Sequence, residues 1–157
     1  MTGPEIIKCV DTAIVEFRRE PRPLQWNASE RSFAHRLAVH MEGLFSGWDI
    51  DCDYNKDGSI VKQLEGIKGC KAQKKSDKIM PDIIVHKRNG SWHDANLLMV
   101  ELKLNDECDV CDKRKLELFT RTGQFQYRLG LYINIDSGRF KRTWYQGGIQ
   151  VGEKDVV

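Results

Sequence analysis

Pro81-Asp82-Ile83-Ile84-Val85-His86, then a polar stretch holding Asn89-Gly90, then Asn96-Leu97-Leu98-Met99-Val100-Glu101-Leu102-Lys103: this part of the chain decides its fold. Two short runs rich in Ile, Leu and Val on either side of an Asn-Gly turn signal predict a hairpin of paired strands. Side chains alternate along a strand, so Glu101 and Lys103 leave from one face while Leu102 points the other way into a core. Closing the hairpin near Asn89-Gly90 sets Asp82, at its open end, opposite the Glu101 region. Two carboxylates and one ammonium then share a site.

Like charges held close together raise one another's pKa, and a divalent cation relieves them. Mg²⁺ takes oxygen ligands, typically one or two carboxylates with waters and a substrate phosphate. Asp82 and Glu101 suit that ion, or Mn²⁺ in its place. Lys103 beside them is a fixed positive charge that orients an attacking water or offsets charge developing on a phosphate. The chemistry these residues suggest is phosphodiester hydrolysis.

Pro81-Asp82 followed by Glu101-Leu102-Lys103 resembles the signature of the PD-(D/E)xK nuclease superfamily, which has the restriction-endonuclease-like fold. Glu101-Leu102-Lys103 is the one place in the sequence where an acid stands two residues before a lysine. The resemblance implies an α/β domain with a central mixed sheet of four to five strands flanked by helices. It also implies Mg²⁺ held by Asp82, Glu101 and the Leu102 carbonyl, with Lys103 as the catalytic cation. DNA is the usual substrate of the superfamily, and some members have lost catalysis.

A chain of 157 residues is long enough for one domain with a sizeable core and short for two. Its 40% hydrophobic and 31% charged residues are those of an ordinary globular protein. No apolar run approaches the ~20 residues of a membrane span, and no secretory signal is visible at Met1-Thr2-Gly3-Pro4-Glu5, so a cytoplasmic protein is expected. Five cysteines, Cys9, Cys52, Cys70, Cys108 and Cys111, form no regular framework and suit reduced thiols. Cys108-x-x-Cys111 invites a zinc site, which needs further ligands such as Cys70 or His86. The net charge of +2 permits nucleic-acid binding without arguing for it.

From Pro4 to Glu20, Ile6, Val10, Ala13, Ile14 and Phe17 recur at helical spacing until Pro21-Arg22-Pro23 stops them. A second helix is predicted from Asn27, which can cap it, with Phe33, Leu37, Met41 and Leu44 as its buried stripe. Glu30 suits two roles. It completes a capping arrangement at the helix start, or it lies on the stripe facing the sheet and reaches the site. In the superfamily, the helix before the sheet often supplies such a glutamate, so the resemblance implies Glu30 as a weaker metal ligand assisting catalysis.

Trp48 to Asn55 alternates as a first strand, with Asp49, Asp51 and Asp53 on a face that reads as solvated. Residues 56–80 carry seven lysines against three acids, a local excess of 7 − 3 = +4. Such a loop serves solubility, or its Lys71, Lys74, Lys75 and Lys78 touch phosphates in a sequence-independent way. Ile60, Leu64 and Ile67 there suit a helical turn or two. A third helix from Asp112 to Phe119 opens with Lys113, Arg114 and Lys115, which oppose the helix dipole at a small cost that contact with nucleic-acid phosphates would explain, as would a solvated face that serves solubility. Tyr127 to Ile135 reads as a buried strand, parallel to its predecessor through a right-handed crossover. Arg139 to Tyr145 suits an edge strand or a basic aromatic arm, and residues 147–157 read as a loose tail.

The chain is thus expected to be a single nuclease-like domain over 1–157, with its core at about 27–135, acting on DNA with Asp82, Glu101, Lys103 and Glu30. A homodimer suits cleavage of both strands of a duplex. The rivals are a nucleic-acid-binding or assembly protein of the same fold without catalysis, a structural zinc protein, and a protein-interaction module.

Overall fold

The computed structural model describes residues 1–20, 29–53, 80–88, 90, 94–105, 110–121, 123 and 125–157, with backbone alone at 56–57 and 60–61. Helix α1 (Gly3–Arg19) starts on a capping box, in which Thr2 Oγ1 accepts from the Glu5 amide and the Glu5 carboxylate accepts from the Thr2 amide. Helix α2 (Glu30–Met41) is capped by Ser29, whose hydroxyl accepts from the Ser32 amide at 3.2 Å. That corrects the cap expected at Asn27, which lies outside the described residues, and makes Glu30 the first helical residue rather than a capping-box partner.

Strands β1 (Asp49–Cys52), β4 (Ile83–His86), β5 (Asn96–Leu104), β6 (Leu129–Asp136), β7 (Arg139–Gln146) and β8 (Ile149–Val151) form one mixed sheet in that order. β2 (Lys56–Asp57) and β3 (Ile60–Val61) pair separately, so Ile60 belongs to a strand and not to a helical turn. Leu64, Ile67 and the four lysines at 71, 74, 75 and 78 lie outside the described residues. The expected hairpin is β4–β5, antiparallel, with Ile83 opposite Val100 and the register shifting at Val85/His86. Its ladder ends at the bond from the Lys87 amide to the Ala95 carbonyl. Helix α3 (Val110–Thr120) carries the chain from β5 to β6, and these two strands run parallel, as predicted.

Alternation along the strands divides the core into two layers. Ile83, Val85, Leu98, Val100, Leu102, Leu131 and Ile133 pack with α1 and α2 through Phe17, Phe33, Leu37 and Met41. Ile84, Met99, Tyr132 and Tyr145 pack on the other face with Leu116 and Phe119 of α3. Gly130 lets α3 approach β6, because a Cβ there would lie 3.0 Å from Thr120 Cγ2 and 3.1 Å from Leu116 Cδ2. Leu131, fully buried in the middle of β6, sets the scale of this packing. Leu131→Ala is expected to cost about 3 kcal/mol, read as a lower urea midpoint at unchanged slope.

The C-terminal segment departs most from expectation. Ser137-Gly138 and Gly147-Gly148 all have positive φ, and the pairs Asp136–Arg139 and Gln146–Ile149 close two-residue hairpin turns around them. Of the two expectations for Arg139 to Tyr145 the strand is the one found, inside the sheet because β8 pairs with it, and Ile149–Val151 make a sixth strand where a loose tail was expected. A 3₁₀ turn at Glu153–Asp155 then brings Val156 into the α1/α2 core.

Cys111 is disulfide-bonded, while Cys9 and Cys52 are free thiols. This corrects the expectation of five reduced cysteines, and a sulfur held in a disulfide is not a zinc ligand. No helix among the described residues is long and apolar enough to cross a membrane.

Candidate active site

The site lies where β4 begins and β5 ends, because antiparallel pairing of the two brings those ends together. Asp82 stands one residue before β4. Its Oδ2 accepts a 2.7 Å hydrogen bond from the Leu102 amide. The N–H and C=O of one residue leave a strand on the same edge, so the Leu102 carbonyl shares the edge on which Asp82 lies. Leu102 itself is buried in the α1/α2 core, as alternation requires.

Glu101 points to the opposite, α3 face and is 2% exposed. Lys115 Nζ of α3 donates to its Oε2 at 3.3 Å, and Oε1 has no hydrogen-bond partner among the described residues. Lys103, two residues on, reaches both layers that cover the sheet. Its Nζ lies 2.8 Å from Glu30 Oε2 at the start of α2 and 3.4 Å from Asp112 Oδ2 in α3. Glu30 Oε1 also accepts from the Leu104 amide at 3.4 Å. The four expected residues, Asp82, Glu101, Lys103 and Glu30, are thus gathered at one end of the sheet.

Two further residues join them. Asp112, buried, is ion-paired to Lys115 as well as Lys103. Carboxylates and ammoniums alternate across the site in the order Glu30, Lys103, Asp112, Lys115, Glu101, with Asp82 beside them. Among the described residues no three or more His, Cys, Asp or Glu side chains are grouped as a preformed metal site. Sequence reading placed Asp112 and Lys115 in a solvated, basic helix start. The missed signal was their spacing, since Asp112, Lys115, Leu116, Phe119 and Thr120 make one helical stripe and that stripe faces the sheet.

Electrostatics follow from the burial. Asp82 is pushed up to about 6, chiefly by burial, against the pull of the Leu102 amide. Burial also drives the Glu101 carboxyl well above the usual range, with Lys115 opposing and the charges of Asp112 and Asp82 adding. Burial pulls the Lys103 ammonium down, but its hydrogen bond to Glu30 and the charges of Asp112 and Glu30 more than reverse that. Lys103 is therefore held protonated. The nearby Cys52 thiol is pushed up to about 11, first by burial and then by Asp53, Asp51 and Asp82, so it supplies little thiolate at neutral pH.

A cleft of about 480 Å³ opens beside Asp82, lined also by Ser29, Glu30, Arg31 and Asp53. At its rim Arg31 Nε meets Asp53 Oδ2 at 2.9 Å. The acids of β1 are not simply solvated. Asp51 accepts from His86 Nε2 at 2.8 Å and from the Arg88 guanidinium through both of its oxygens. Of the expected nucleic-acid contacts in α3, Lys113 Nζ stands 5.1 Å over the Tyr132 ring and Arg114 pairs with Glu117 at 2.5 Å. Compared with protein-family models, curated proteins and solved structures, the chain gives no match in any of the three.

Proposed function

We propose that the chain is a metal-dependent nuclease of the PD-(D/E)xK type that hydrolyses DNA phosphodiester bonds. The observation that carries this reading is the buried Oε1 of Glu101, left without a hydrogen-bond partner among the described residues next to a second, half-buried carboxylate, Asp82. Buried acceptors without a partner are costly, and both carboxyls are penalised for ionising where they stand. A divalent cation relieves both at once. The donors present, two carboxylates and the Leu102 carbonyl on the same edge, are hard oxygens of the kind Mg²⁺ and Mn²⁺ take.

When bound, such an ion supplies Lewis acidity to a phosphoryl oxygen and lowers the pKa of a bound water. The residues of the chain do the rest. The cleft beside Asp82 admits the phosphodiester, and Arg31 at its rim offers a guanidinium to a neighbouring phosphate. Lys103, kept protonated by Glu30 and Asp112, offers fixed positive charge as the phosphorus gains a bond to water oxygen and loses one ester oxygen. The water's proton leaves to solvent and the departing ester oxygen takes one from solvent; Lys103 does not take up the water's proton, because its ammonium is held above the ordinary range. Glu30 acts through Lys103 by orienting it.

A second reading, a nucleic-acid-binding or assembly protein of this fold without catalysis, is favoured by one observation. Lys115 already sits on Glu101 Oε2 and offsets part of its charge. Incubating the protein with single-stranded, duplex and branched DNA and with RNA, in Mg²⁺ or Mn²⁺ and with a chelator control, separates the two. Metal-dependent cleavage of a DNA substrate is expected. Intact substrates across that whole set, with the protein folded, would leave the binding reading standing instead.

A further inference from the structure

Lys115 enters neither the hairpin motif nor the chemistry just described, yet it is placed against the carboxylates. Its ammonium bridges Glu101 Oε2, at 3.3 Å, and Asp112 Oδ1. The bridge is buried, as Glu101 and Asp112 are both among the buried charged residues. Four carboxylates, Glu30, Asp82, Glu101 and Asp112, face two ammoniums, Lys103 and Lys115, which leaves 4 − 2 = 2 negative charges when all four are ionised, as ligands to a cation must be. One divalent ion balances that charge, and a second would leave the site with a surplus of two positive charges in a poorly hydrated place, where uncompensated charge is costly.

We propose that Lys115 is a built-in counter-ion that stands where a second metal ion would bridge Glu101 and Asp112, so that the site takes one divalent ion, at Asp82 and Glu101 Oε1. The inference rests on the metal-dependent reading above. The two oxygens that Lys115 joins are the pair a bridging cation would use. Oε1, the oxygen it leaves alone, has no hydrogen-bond partner among the described residues. Lys115 is thus a positioning residue. It holds Glu101 oriented through Oε2 and blocks the second cation position.

Counting bound Mn²⁺ tests this without reference to cleavage. Titration followed by calorimetry, with electron paramagnetic resonance of the bound ion, is expected to give one Mn²⁺ per wild-type chain and the spectrum of an isolated ion. Lys115→Met, which empties the bridge, is expected to double the count to two, with the altered spectrum of coupled ions about 4 Å apart. Lys115→Arg, which keeps the charge, is expected to stay at one. Two ions on the wild type overturn the proposal, and that result stands even if Lys115→Met fails to fold. One ion on a folded Lys115→Met chain, bound as on the wild type, also overturns it while leaving the metal-dependent reading intact. A wild-type chain that binds no Mn²⁺ overturns both.

Discussion

Asp82→Asn is expected to melt about 5–10 °C above the wild type in metal-free buffer at pH 7, while losing about a thousandfold or more in cleavage. The gain follows from the sign of the pKa shift. Asp82 in the fold is raised from an ordinary 3.8 to about 6, chiefly by burial, so the folded chain holds this proton more tightly than the unfolded chain. The stabilisation that the proton brings is complete below about pH 4 and is lost as pH rises through 6. At pH 7 the native protein carries a penalty of about 2–3 kcal/mol for an ionised, half-buried Asp82. Asparagine keeps an acceptor for the Leu102 amide, 2.7 Å away in the wild type, and removes the charge. Differential scanning calorimetry across pH 4–8 reads the effect as a wild-type melting temperature that falls toward pH 7 and a variant that falls less. Added Mn²⁺ is expected to raise the wild-type midpoint and leave the variant nearly where it was. A site destabilised until its ligand arrives is what a functional carboxylate pair produces, and a merely structural aspartate would show the opposite sign.

Lys103→Met is the second large effect, with cleavage lower by about a hundred- to a thousandfold and Mn²⁺ binding no weaker than in the wild type. Methionine keeps the length of the side chain and removes the charge that Glu30 and Asp112 hold in place from two different layers. Removing an ammonium from among four carboxylates makes the site more negative, so cation affinity holds or rises while turnover falls. A parallel loss of both would assign Lys103 to building the metal site instead of serving the reaction. Half-buried Glu30 and buried Asp112 each lose one ion-pair partner in this variant, Asp112 keeping Lys115, so a lower urea midpoint accompanies the loss of activity.

The part of the site carried by the β4–β5 hairpin was legible because its information is local. Alternation sets Leu102 inward and Glu101 and Lys103 to the other face, and antiparallel pairing places Asp82 beside them, whatever the rest of the chain does. Glu30 reached the site as its position on the α2 stripe suggested, although Ser29 rather than Asn27 caps that helix. Asp112 and Lys115 were obscured by composition. A helix opening with Lys113, Arg114 and Lys115 reads as basic and solvated, and only the stripe shared with Leu116 and Phe119 shows that two of its charged residues turn inward. The C-terminal segment was legible only in part, Arg139 to Tyr145 reading as an edge strand or an arm and the strand after it as a tail. Ser137-Gly138 and Gly147-Gly148 are strong hairpin signals, but the strand between them carries Arg139, Lys141 and Arg142, whose charges masked the alternation that sends Trp144 and Tyr145 to opposite faces of the sheet. The disulfide at Cys111 was not anticipated, because an odd number of cysteines without a regular framework read as reduced thiols.

The most direct test of the account is Mg²⁺-dependent cleavage of end-labelled single-stranded and duplex DNA by the wild type and by Asp82→Asn, purified alike and both shown to be folded. The account predicts products from the wild type that require Mg²⁺ and disappear on chelation, with none from a variant that melts higher. Equal products from both proteins, or none from a wild type that demonstrably binds Mn²⁺, would contradict it.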